Sequence, residues 1–421
     1  MTPPRYASTR GGVPVSFRTA LLDGLAPEGG LYLPTHVPPI RSDGLSASSF
    51  ADAAVSTLAP LLEGVVSGFE AVVRDALPFD VPLVDLEGEW AGISVLELFY
   101  GPTLSFKDVG ARTMARLVGT VLEDEEVTIL AATSGDTGSA VADGFAGIPG
   151  VRVVLLYPKG QVSAVQERQL SVERPAVQAL AVEGTFDDCQ RMVKSAFATL
   201  RKTRRLSSAN SINVGRLLPQ MTYYAWAAAR SGLEDAVFCV PSGNLGNLTA
   251  GTLAHRAGVP AVGFIAAHNA NDGFPRFLEG ADAPTGDSVR TVSNAMDVGV
   301  PSNLERLRVL YPGDALRRLV TGEAVTDAAT FATMRAVWDA AGYLADPHTA
   351  VGLEAARRYR ERHDRPVIVL ATAHPAKFPD AVLEATGTRP EVPDRLARLW
   401  DAPTRVETIP ADLEALAAHL D

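Results

Sequence analysis

The stretch Val127-Thr-Ile-Leu-Ala-Ala-Thr-Ser-Gly-Asp-Thr-Gly138 has the pattern of a buried strand that ends in a polar, glycine-rich turn. Its first six residues are mostly apolar, which predicts a strand buried on both faces. Residues 139–147 follow with an amphipathic, helical pattern, and the apolar run at 151–157 predicts the next strand. Strand, helix and strand joined by short connections are typical of a parallel sheet covered by helices.

The same alternation continues along the chain. Further strands are predicted at 177–182, 236–240, 261–267 and 367–373, with helices at 187–200 and 248–257. Residues 1–85 are first irregular and then mostly helical in pattern. We therefore predict an α/β fold with two parallel-sheet α/β domains and an additional, mostly helical amino-terminal domain.

The composition limits the classes of protein that the chain can be. It has 421 residues, a net charge of −11 and 47% hydrophobic residues, which excludes intrinsic disorder. The acidic balance argues against a nucleic-acid binder, because phosphate backbones require a basic surface. No apolar run approaches the roughly 18–20 residues that span a bilayer, so no membrane association is expected.

The sequence says less about the cellular compartment and the oligomeric state. The first residues lack the hydrophobic core of a signal peptide, and the two cysteines, Cys189 and Cys239, fit a reducing environment. We therefore expect a cytoplasmic enzyme. The sequence leaves open whether it is a monomer or a homodimer.

Two glycine-rich turns follow predicted strands and lead into predicted helices. They are Thr133-Ser-Gly-Asp-Thr-Gly138 and Ser242-Gly-Asn-Leu-Gly-Asn247. Glycine lets backbone N–H groups converge, and the next helix adds a partial positive charge, so such a turn can bind an anion. Either turn alone is also consistent with an ordinary strand-to-helix connection. Neither matches a dinucleotide or nucleotide-phosphate motif, and no metal-ligand spacing is present.

Lys107 lies in the apolar segment Gly101-Pro-Thr-Leu-Ser-Phe-Lys-Asp108. Most lysines are solvated surface residues, and this is the alternative interpretation. In an apolar setting, however, desolvation lowers the pKa of a lysine and frees its amine as a nucleophile. A nucleophilic lysine together with an anion-binding turn is the minimum set for binding pyridoxal 5'-phosphate.

These segments resemble the threonine synthase family, whose members are pyridoxal-phosphate enzymes of the tryptophan-synthase β-like fold, fold type II. The resemblance extends through nearly the whole chain. It rests on the lysine segment, both glycine-rich turns, and residues 8–11 and 23–34 near the amino terminus, which resemble the longer, microbial branch of the family. The remaining segments are Asn210-Ser-Ile-Asn-Val-Gly-Arg216, Ser293-Asn-Ala-Met-Asp297 and Ala371-Thr-Ala-His-Pro-Ala-Lys-Phe378.

The resemblance implies a lyase that converts O-phospho-L-homoserine and water to L-threonine and phosphate, with pyridoxal 5'-phosphate as cofactor. It also implies an amino-terminal domain at residues 1–85, a large cofactor-binding domain at 86–112 and 214–421, and a small domain at 113–213 that carries the substrate loop. Another fold-type-II lyase, such as a serine/threonine dehydratase or a phospholyase, is the nearest alternative. A non-catalytic phosphometabolite sensor is a further one.

The resemblance further implies the roles of particular residues. Lys107 is expected to bind the cofactor covalently and to move protons, and Thr372 to contact the pyridine nitrogen. The residues expected to hold the cofactor are Lys107, Asp136, Ser242, Gly243, Asn244, Leu245, Gly246, Asn247 and Thr372. Those expected to bind the substrate are Thr133, Ser134, Thr137, Asn210, Ser211 and Arg216. No metal ligand is expected.

Two of these assignments leave alternatives open. An aspartate beside a carboxylate-binding turn is unfavourable, so we expect the Asp136 side chain to face the cofactor's O3′ or nearby backbone N–H groups. The guanidinium of Arg216 matches a phosphate group. The alternative for that segment is a helix cap at Asn213 followed by a surface arginine.

Overall fold

The structure is a computed structural model that describes residues 4–201 and 203–420. The first three residues of the predicted amino-terminal domain and the last residue of the predicted large domain lie outside these ranges. The strands are β1 (Tyr6–Ser8), β2 (Tyr32–Pro34), β3 (Leu83–Asp85), β4 (Ile93–Glu97), β5 (Val127–Ala132), β6 (Val151–Pro158), β7 (Val177–Glu183), β8 (Leu206–Ser207), β9 (Val237–Pro241), β10 (Gly263–His268), β11 (Val320–Ala324), β12 (Val367–Ala371) and β13 (Val406–Pro410).

Helices connect most of these strands. They are α1 (Phe17–Asp23), α2 (Phe50–Leu62), α3 (Phe69–Ala76), α4 (Lys107–Val121), α5 (Asp136–Phe145), α6 (Ala164–Ser171), α7 (Phe186–Leu200), α8 (Val214–Leu217), α9 (Met221–Ser231), α10 (Gly246–Arg256), α11 (Gly273–Leu278), α12 (Leu304–Leu310), α13 (Ala315–Leu319), α14 (Asp327–Ala341), α15 (Pro347–Arg360), α16 (Pro379–Thr386), α17 (Asp394–Ala397) and α18 (Leu413–Ala417). Within the described ranges, none of them is long and apolar enough to cross a membrane.

The larger strands form two sheets. One has six strands in the order β11-β10-β9-β12-β4-β3, and the other has five in the order β13-β7-β6-β5-β8. All pairs in these two sheets are parallel except β3 with β4. Beside them, β1 and β2 form a small antiparallel pair in the amino-terminal part. The predicted α/β fold with two parallel sheets and a mostly helical amino-terminal domain is therefore confirmed.

The cores explain why the interior strands were recognisable from sequence. One face of the six-stranded sheet packs on α14 and α15, and one face of the five-stranded sheet packs on α7 and α18. The largest core covers the other faces and joins both sheets to α2, α4 and α9. Strands covered on both faces must be apolar throughout, and β5, β9 and β12 are entirely or almost entirely buried.

Several strands did not stand out in the sequence. The edge strands β11 and β13 are partly exposed, and their sequences Val320-Thr-Gly-Glu-Ala324 and Val406-Glu-Thr-Ile-Pro410 carry polar residues that break the apolar run. The two glycine-rich turns are also shorter than the sequence suggested. Helices α5 and α10 begin inside them, at Asp136 and Gly246, because the polar residues of the turns are also good first-turn residues.

The domain boundaries remain a prediction, and sheet membership suggests how to refine them. β3 belongs to the six-stranded sheet, although residues 1–85 were assigned to the amino-terminal domain. β13 belongs to the five-stranded sheet, although residues 214–421 were assigned to the large domain. We propose that the boundaries follow the sheets, so that the chain crosses back to the small domain near its carboxyl end.

Arg306 connects the amino-terminal part of the chain to Ser211 and Ile212, which line the cavity described below. Its side chain is fully buried on α12. The guanidinium donates from Nε to the Tyr32 carbonyl (3.1 Å) and from Nη1 to the Ser211 carbonyl (2.9 Å). It also donates from Nη1 to Asn303 Oδ1 (2.7 Å) and from Nη2 to the Ile212 carbonyl (2.6 Å). One side chain thus satisfies acceptors from three separate segments.

Replacing Arg306 with methionine is expected to destabilise the fold. The variant leaves these buried acceptors without a donor, which lowers the free energy of unfolding by about 3 kcal/mol or more. Urea unfolding followed by fluorescence measures the change. Arg308→Met is the matched control, because Arg308 is exposed on the same helix. Equal unfolding midpoints for the two variants would contradict this role of Arg306.

Candidate active site

The sequence-predicted site residues converge on one cavity of about 180 Å³. It lies beyond the carboxyl ends of β5, β9 and β12, which is where ligands bind in parallel α/β sheets. The predicted residues that line it are Lys107, Thr133, Ser134, Asp136, Thr137, Asn210, Ser211, Arg216, Ser242, Gly243, Asn244, Leu245, Gly246, Asn247 and Thr372. The structure therefore brings every one of them together.

Backbone pairing places Lys107 opposite the end of β12. Residues 104–106 run antiparallel to the residues that follow that strand. The Phe106 N–H donates to the Thr372 carbonyl (2.9 Å), and the His374 N–H donates to the Leu104 carbonyl (3.1 Å). Leu104 adopts a positive φ of 60°, which turns the chain sharply into α4. Lys107 is the first residue of that helix, so it enters the cavity beside Thr372.

The surroundings of Lys107 make its amine easier to deprotonate. Loss of hydration lowers the pKa of Lys107 to about 8. Asp136 acts in the opposite direction, while the cations Arg216 and Lys377 lower the pKa further. The side chain is half-buried and its amine lies over the Phe106 ring. At mildly alkaline pH a substantial fraction of this amine is therefore an uncharged nucleophile.

The turn at Ser242–Asn247 packs tightly against neighbouring segments, which explains its two glycines. A Cβ on Gly243 would lie 2.9 Å from the Met296 Cα, and one on Gly246 would lie 2.9 Å from the Ser211 Cβ. Leu245 has a φ of 60° at the start of α10. Because α10 is eleven residues long and begins in the cavity, its first N–H groups and its dipole favour an anion there.

Side chains hold this turn in place. The Asn244 Nδ2 donates to Ser211 Oγ (2.8 Å), which joins the turn to the 210–216 segment. The hydroxyls of Tyr223 and Tyr224 donate to Asn247 Oδ1, each at 2.7 Å. The Asn247 Nδ2 is buried without a partner among the described residues. It is thus a fixed donor that a bound anion would satisfy.

The turn at Thr133–Gly138 is organised by its own first residue. The Thr133 hydroxyl accepts from the N–H groups of Gly135 (2.9 Å) and Gly138 (2.8 Å). Gly135 has a φ of 130°, a conformation that L residues avoid. Ser134 and Thr137 are half-buried and line the cavity. Thr133 thus shapes the turn, while Ser134 and Thr137 offer hydroxyls to a ligand.

The sequence left two orientations open for the Asp136 side chain. It accepts no hydrogen bond from a backbone N–H group of the described residues, and the orientation toward the cofactor's O3′ stays a prediction. Asp136 Oδ1 accepts from Gln166 Nε2 (2.9 Å) and lies 2.8 Å from Lys377 Nζ. Burial alone would raise the pKa of this carboxyl, but Lys377 and Lys107 hold it well below its usual range. An ion pair formed inside the protein, unreadable from local sequence, determines where the carboxylate points.

The 210–216 segment combines both interpretations that the sequence left open. Asn213 caps α8, since its side chain accepts from the Gly215 N–H (2.8 Å). Arg216 is nevertheless only 3% exposed, so the surface-arginine alternative was wrong. Its Nε and the Asn210 Oδ1 are buried without partners in the described part of the chain. A donor of this geometry, held rigidly in a cavity, suits a phosphate group.

Sequence reasoning missed several residues that line the cavity. Gln190 and Lys194 lie four residues apart on α7, and this spacing on an amphipathic helix was the available signal. His348 also lines the cavity. Its Nδ1 is 2.6 Å from Asp346 Oδ2 and its Nε2 accepts from the Ala295 N–H (3.2 Å). One ring nitrogen is therefore engaged by the Asp346 carboxylate and the other by the backbone at Ala295.

The donor set fits pyridoxal phosphate. A half-buried amine, and a turn at a helix start that carries an unpaired amide donor, match an aldehyde that carries a phosphate ester. Within residues 4–201 and 203–420, no group of three or more His, Cys, Asp or Glu side chains could hold a metal ion.

Models of known families match almost the whole chain. The threonine synthase N terminus matches residues 5–74, the pyridoxal-phosphate dependent enzyme family matches 81–372, and the threonine synthase C-terminal family matches 349–420. The threonine synthase of Escherichia coli (strain K12) is 40% identical over 413 residues, which cover 96% of this chain and 95% of the relative.

Solved structures agree with this assignment. The pyridoxal-phosphate-bound threonine synthase of Brucella melitensis superimposes with a TM-score of 0.90 at 37% identity, covering 99% of this chain and 98% of that one. Yeast threonine synthase gives a TM-score of 0.89 at 31% identity, with the same coverage of both chains. The chain therefore belongs to the threonine synthase family of pyridoxal-phosphate-dependent enzymes.

Proposed function

We propose that this threonine synthase converts O-phospho-L-homoserine and water to L-threonine and phosphate, the last step of threonine biosynthesis. One observation carries the proposal. The cavity combines the nucleophilic Lys107 with two anion-binding turns and the buried guanidinium of Arg216. A cofactor phosphate, a substrate carboxylate and a substrate phosphate each need a separate group of donors. The cavity supplies all three groups.

The residues at 242–247 are proposed to hold the cofactor phosphate through backbone N–H groups and the Asn247 amide. Lys107 would bind the cofactor covalently, and the buried Thr372 hydroxyl would contact the pyridine nitrogen. A neutral hydroxyl at that position leaves the nitrogen largely unprotonated, which favours elimination and replacement over transamination. When bound, pyridoxal phosphate supplies the electron-withdrawing group that allows carbon atoms next to the substrate amine to lose a proton.

Lys107 is proposed to move the protons. With a substrate bound to the cofactor, the Lys107 amine would be free and would remain in the cavity, where it could accept and return protons. Because the pKa of this amine is about 8, it can accept a proton from Cα or Cβ and later return one. Loss of the γ-phosphate and addition of water at Cβ complete the reaction.

The substrate is proposed to bind between the two sheets. Ser134, Thr137 and the N–H groups at the start of α5 face the α-carboxylate, with Thr133 shaping the turn. Asn210, Ser211 and Arg216 bind the phosphate, because they offer a planar guanidinium and polar side chains that line the same cavity.

We also propose a cytoplasmic enzyme that works as a monomer or homodimer and binds no nucleic acid. The acidic net charge of −11 supports the last point. A serine/threonine dehydratase or phospholyase remains the alternative activity. Either would share Lys107 and the 242–247 turn, but a dehydratase would not need a phosphate site at Arg216.

Purified protein with O-phospho-L-homoserine is expected to release phosphate and threonine one to one. An absorption band of the bound cofactor should disappear on treatment with borohydride, which traps the bond to Lys107. Lys107→Ala is expected to abolish both the trapped bond and turnover, since the nucleophile and the proton carrier are lost. Phosphate release and cofactor absorbance measure these two effects.

The control for this experiment is Lys159→Ala, because Lys159 lies at the surface in a 3.5 Å pair with Glu183. It should keep full activity. Turnover retained in Lys107→Ala contradicts the assignment. Formation of 2-oxo acids from L-serine or L-threonine, without phosphate release from O-phospho-L-homoserine, would support the dehydratase instead.

Arg216→Gln is expected to raise the KM for O-phospho-L-homoserine by about 10-fold to 100-fold. Charged hydrogen bonds contribute about 1.5–3 kcal/mol, and each 1.4 kcal/mol corresponds to a tenfold change in affinity. The cofactor absorbance should be unchanged. Arg230→Gln, at an exposed site against Trp226, is the control. An unchanged KM and unchanged inhibition by inorganic phosphate would remove Arg216 from the phosphate site.

A further inference from the structure

Lys377 is a second buried lysine next to the active-site cavity, and the proposed chemistry does not use it. It is fully buried in the turn that follows β12. Its Nζ lies 2.8 Å from Asp136 Oδ1 and donates to the Thr103 carbonyl (2.9 Å). A lysine without exposure to water requires compensation from its partners. Asp136 and Thr103 provide it.

The ion pair connects elements that belong to different sheets. Asp136 begins the helix after β5 of the five-stranded sheet, whereas Lys377 follows β12 of the six-stranded sheet. Around the pair, Gln166 donates to Asp136, and the Ser163 hydroxyl donates to the Lys377 carbonyl (3.3 Å). The pair therefore lies at the contact between the two α/β units, directly behind the cavity.

The contact continues to the reacting lysine. The Thr103 carbonyl accepts the hydrogen bond from the Lys377 amine. The same residue donates from its N–H and its hydroxyl to the two oxygens of Asp108 (2.8 and 2.6 Å). Asp108 is the residue after Lys107. A continuous polar path thus runs from the substrate-side turn, through Asp136 and Lys377, to the turn that carries Lys107.

We propose that Lys377 is a positioning residue for the reaction: by pairing with Asp136 it keeps that carboxylate from neutralising Lys107, and it fixes the substrate-side turn against the lysine turn. The proposal goes beyond the proposed function, and rests on it only in taking Lys107 as the reacting amine. Asp136 pairs directly with Lys377 and acts on Lys107 through its charge. If Lys377 is removed, the carboxylate acts on Lys107 without competition.

The charged groups that act on Lys107 predict the sign of each change. They are Asp136 on α5, Arg216 on α8 and Lys377 after β12. Removing Lys377 alone eliminates a repelling cation and leaves the carboxylate to Lys107, so the Lys107 amine should hold its proton more tightly. Removing both Asp136 and Lys377 eliminates the carboxylate, whose effect on Lys107 is larger than that of Lys377. The Lys107 amine should then release its proton more readily.

The test measures the Lys107 amine directly in the full-length protein after removal of its cofactor. Trace acetylation with acetic anhydride between pH 6 and 10, read by peptide mass spectrometry, gives the midpoint at which Lys107 becomes reactive. Lys377→Met is expected to move this midpoint up by about one pH unit. The double variant Asp136→Asn with Lys377→Met is expected to move it down by a similar amount.

The double variant also covers the case in which Lys377→Met does not fold. Breaking a buried pair leaves an unpaired charge, whereas removing both charges does not, so the double variant should be the more stable one. Lys159→Met, which removes a surface lysine, should leave the midpoint unchanged. Shifts of opposite sign support the proposal.

Two outcomes would overturn it. If both variants lower the thermal unfolding temperature but leave the midpoint in place, Lys377 serves the fold alone. If Lys377→Met does not fold and the double variant leaves the midpoint unmoved, the carboxylate does not act on Lys107. Labelling needs neither cofactor nor substrate. A different catalytic activity would therefore show in the turnover assay and would not alter this result.

Discussion

The active site depends on a short backbone contact between two segments that are far apart in sequence. Three hydrogen bonds join residues 98–106 to residues 371–374: Leu98 N–H to the Ala371 carbonyl, Phe106 N–H to the Thr372 carbonyl, and His374 N–H to the Leu104 carbonyl. The first bond continues the parallel pairing of β4 with β12, and the other two form an antiparallel bridge beyond the sheet. Because of this contact, the reacting lysine and the hydroxyl proposed for the pyridine nitrogen lie together although they are 265 positions apart in the sequence.

The charge distribution explains why such a site suits anionic ligands in an acidic protein. The chain has a net charge of −11, yet three cationic side chains, Lys107, Arg216 and Lys377, act on one another in and beside the cavity, where Asp136 is strongly ionised. Asp108 is a second carboxylate nearby, and it is mostly ionised at neutral pH although burial raises its pKa to about 6. Three cations and two carboxylates leave a positive excess. The positive excess is costly in a cavity of low polarity. A phosphate-bearing ligand offsets this cost, so binding of the cofactor and stability of the closed cavity are linked.

The sequence predicted the parts of this arrangement that are encoded locally. Interior strands such as β5 and β9 are almost entirely apolar because both faces are covered, and the turns after them are polar because they contain helix starts. Edge strands such as β13 gave no such signal, since only Ile409 of that strand is buried. The ion-pair partner of Asp136 also could not be predicted from the neighbouring sequence. Lys377 is 241 positions away, and only the folded chain shows that its amine lies 2.8 Å from the carboxylate.

The ion pair has consequences for how the two α/β units can move. Opening the cleft between the sheets would separate Asp136 from Lys377, and each charge would then need water in its place. The hydrogen bond from the Ser163 hydroxyl to the Lys377 carbonyl also joins the two units and would be lost at the same time. The bonds from Gln166 to Asp136 and from Lys377 to Thr103 each lie within one unit and would remain. Breaking a buried pair costs more than breaking a surface one, because an unpaired charge remains, so this pair holds the two units together next to the cavity.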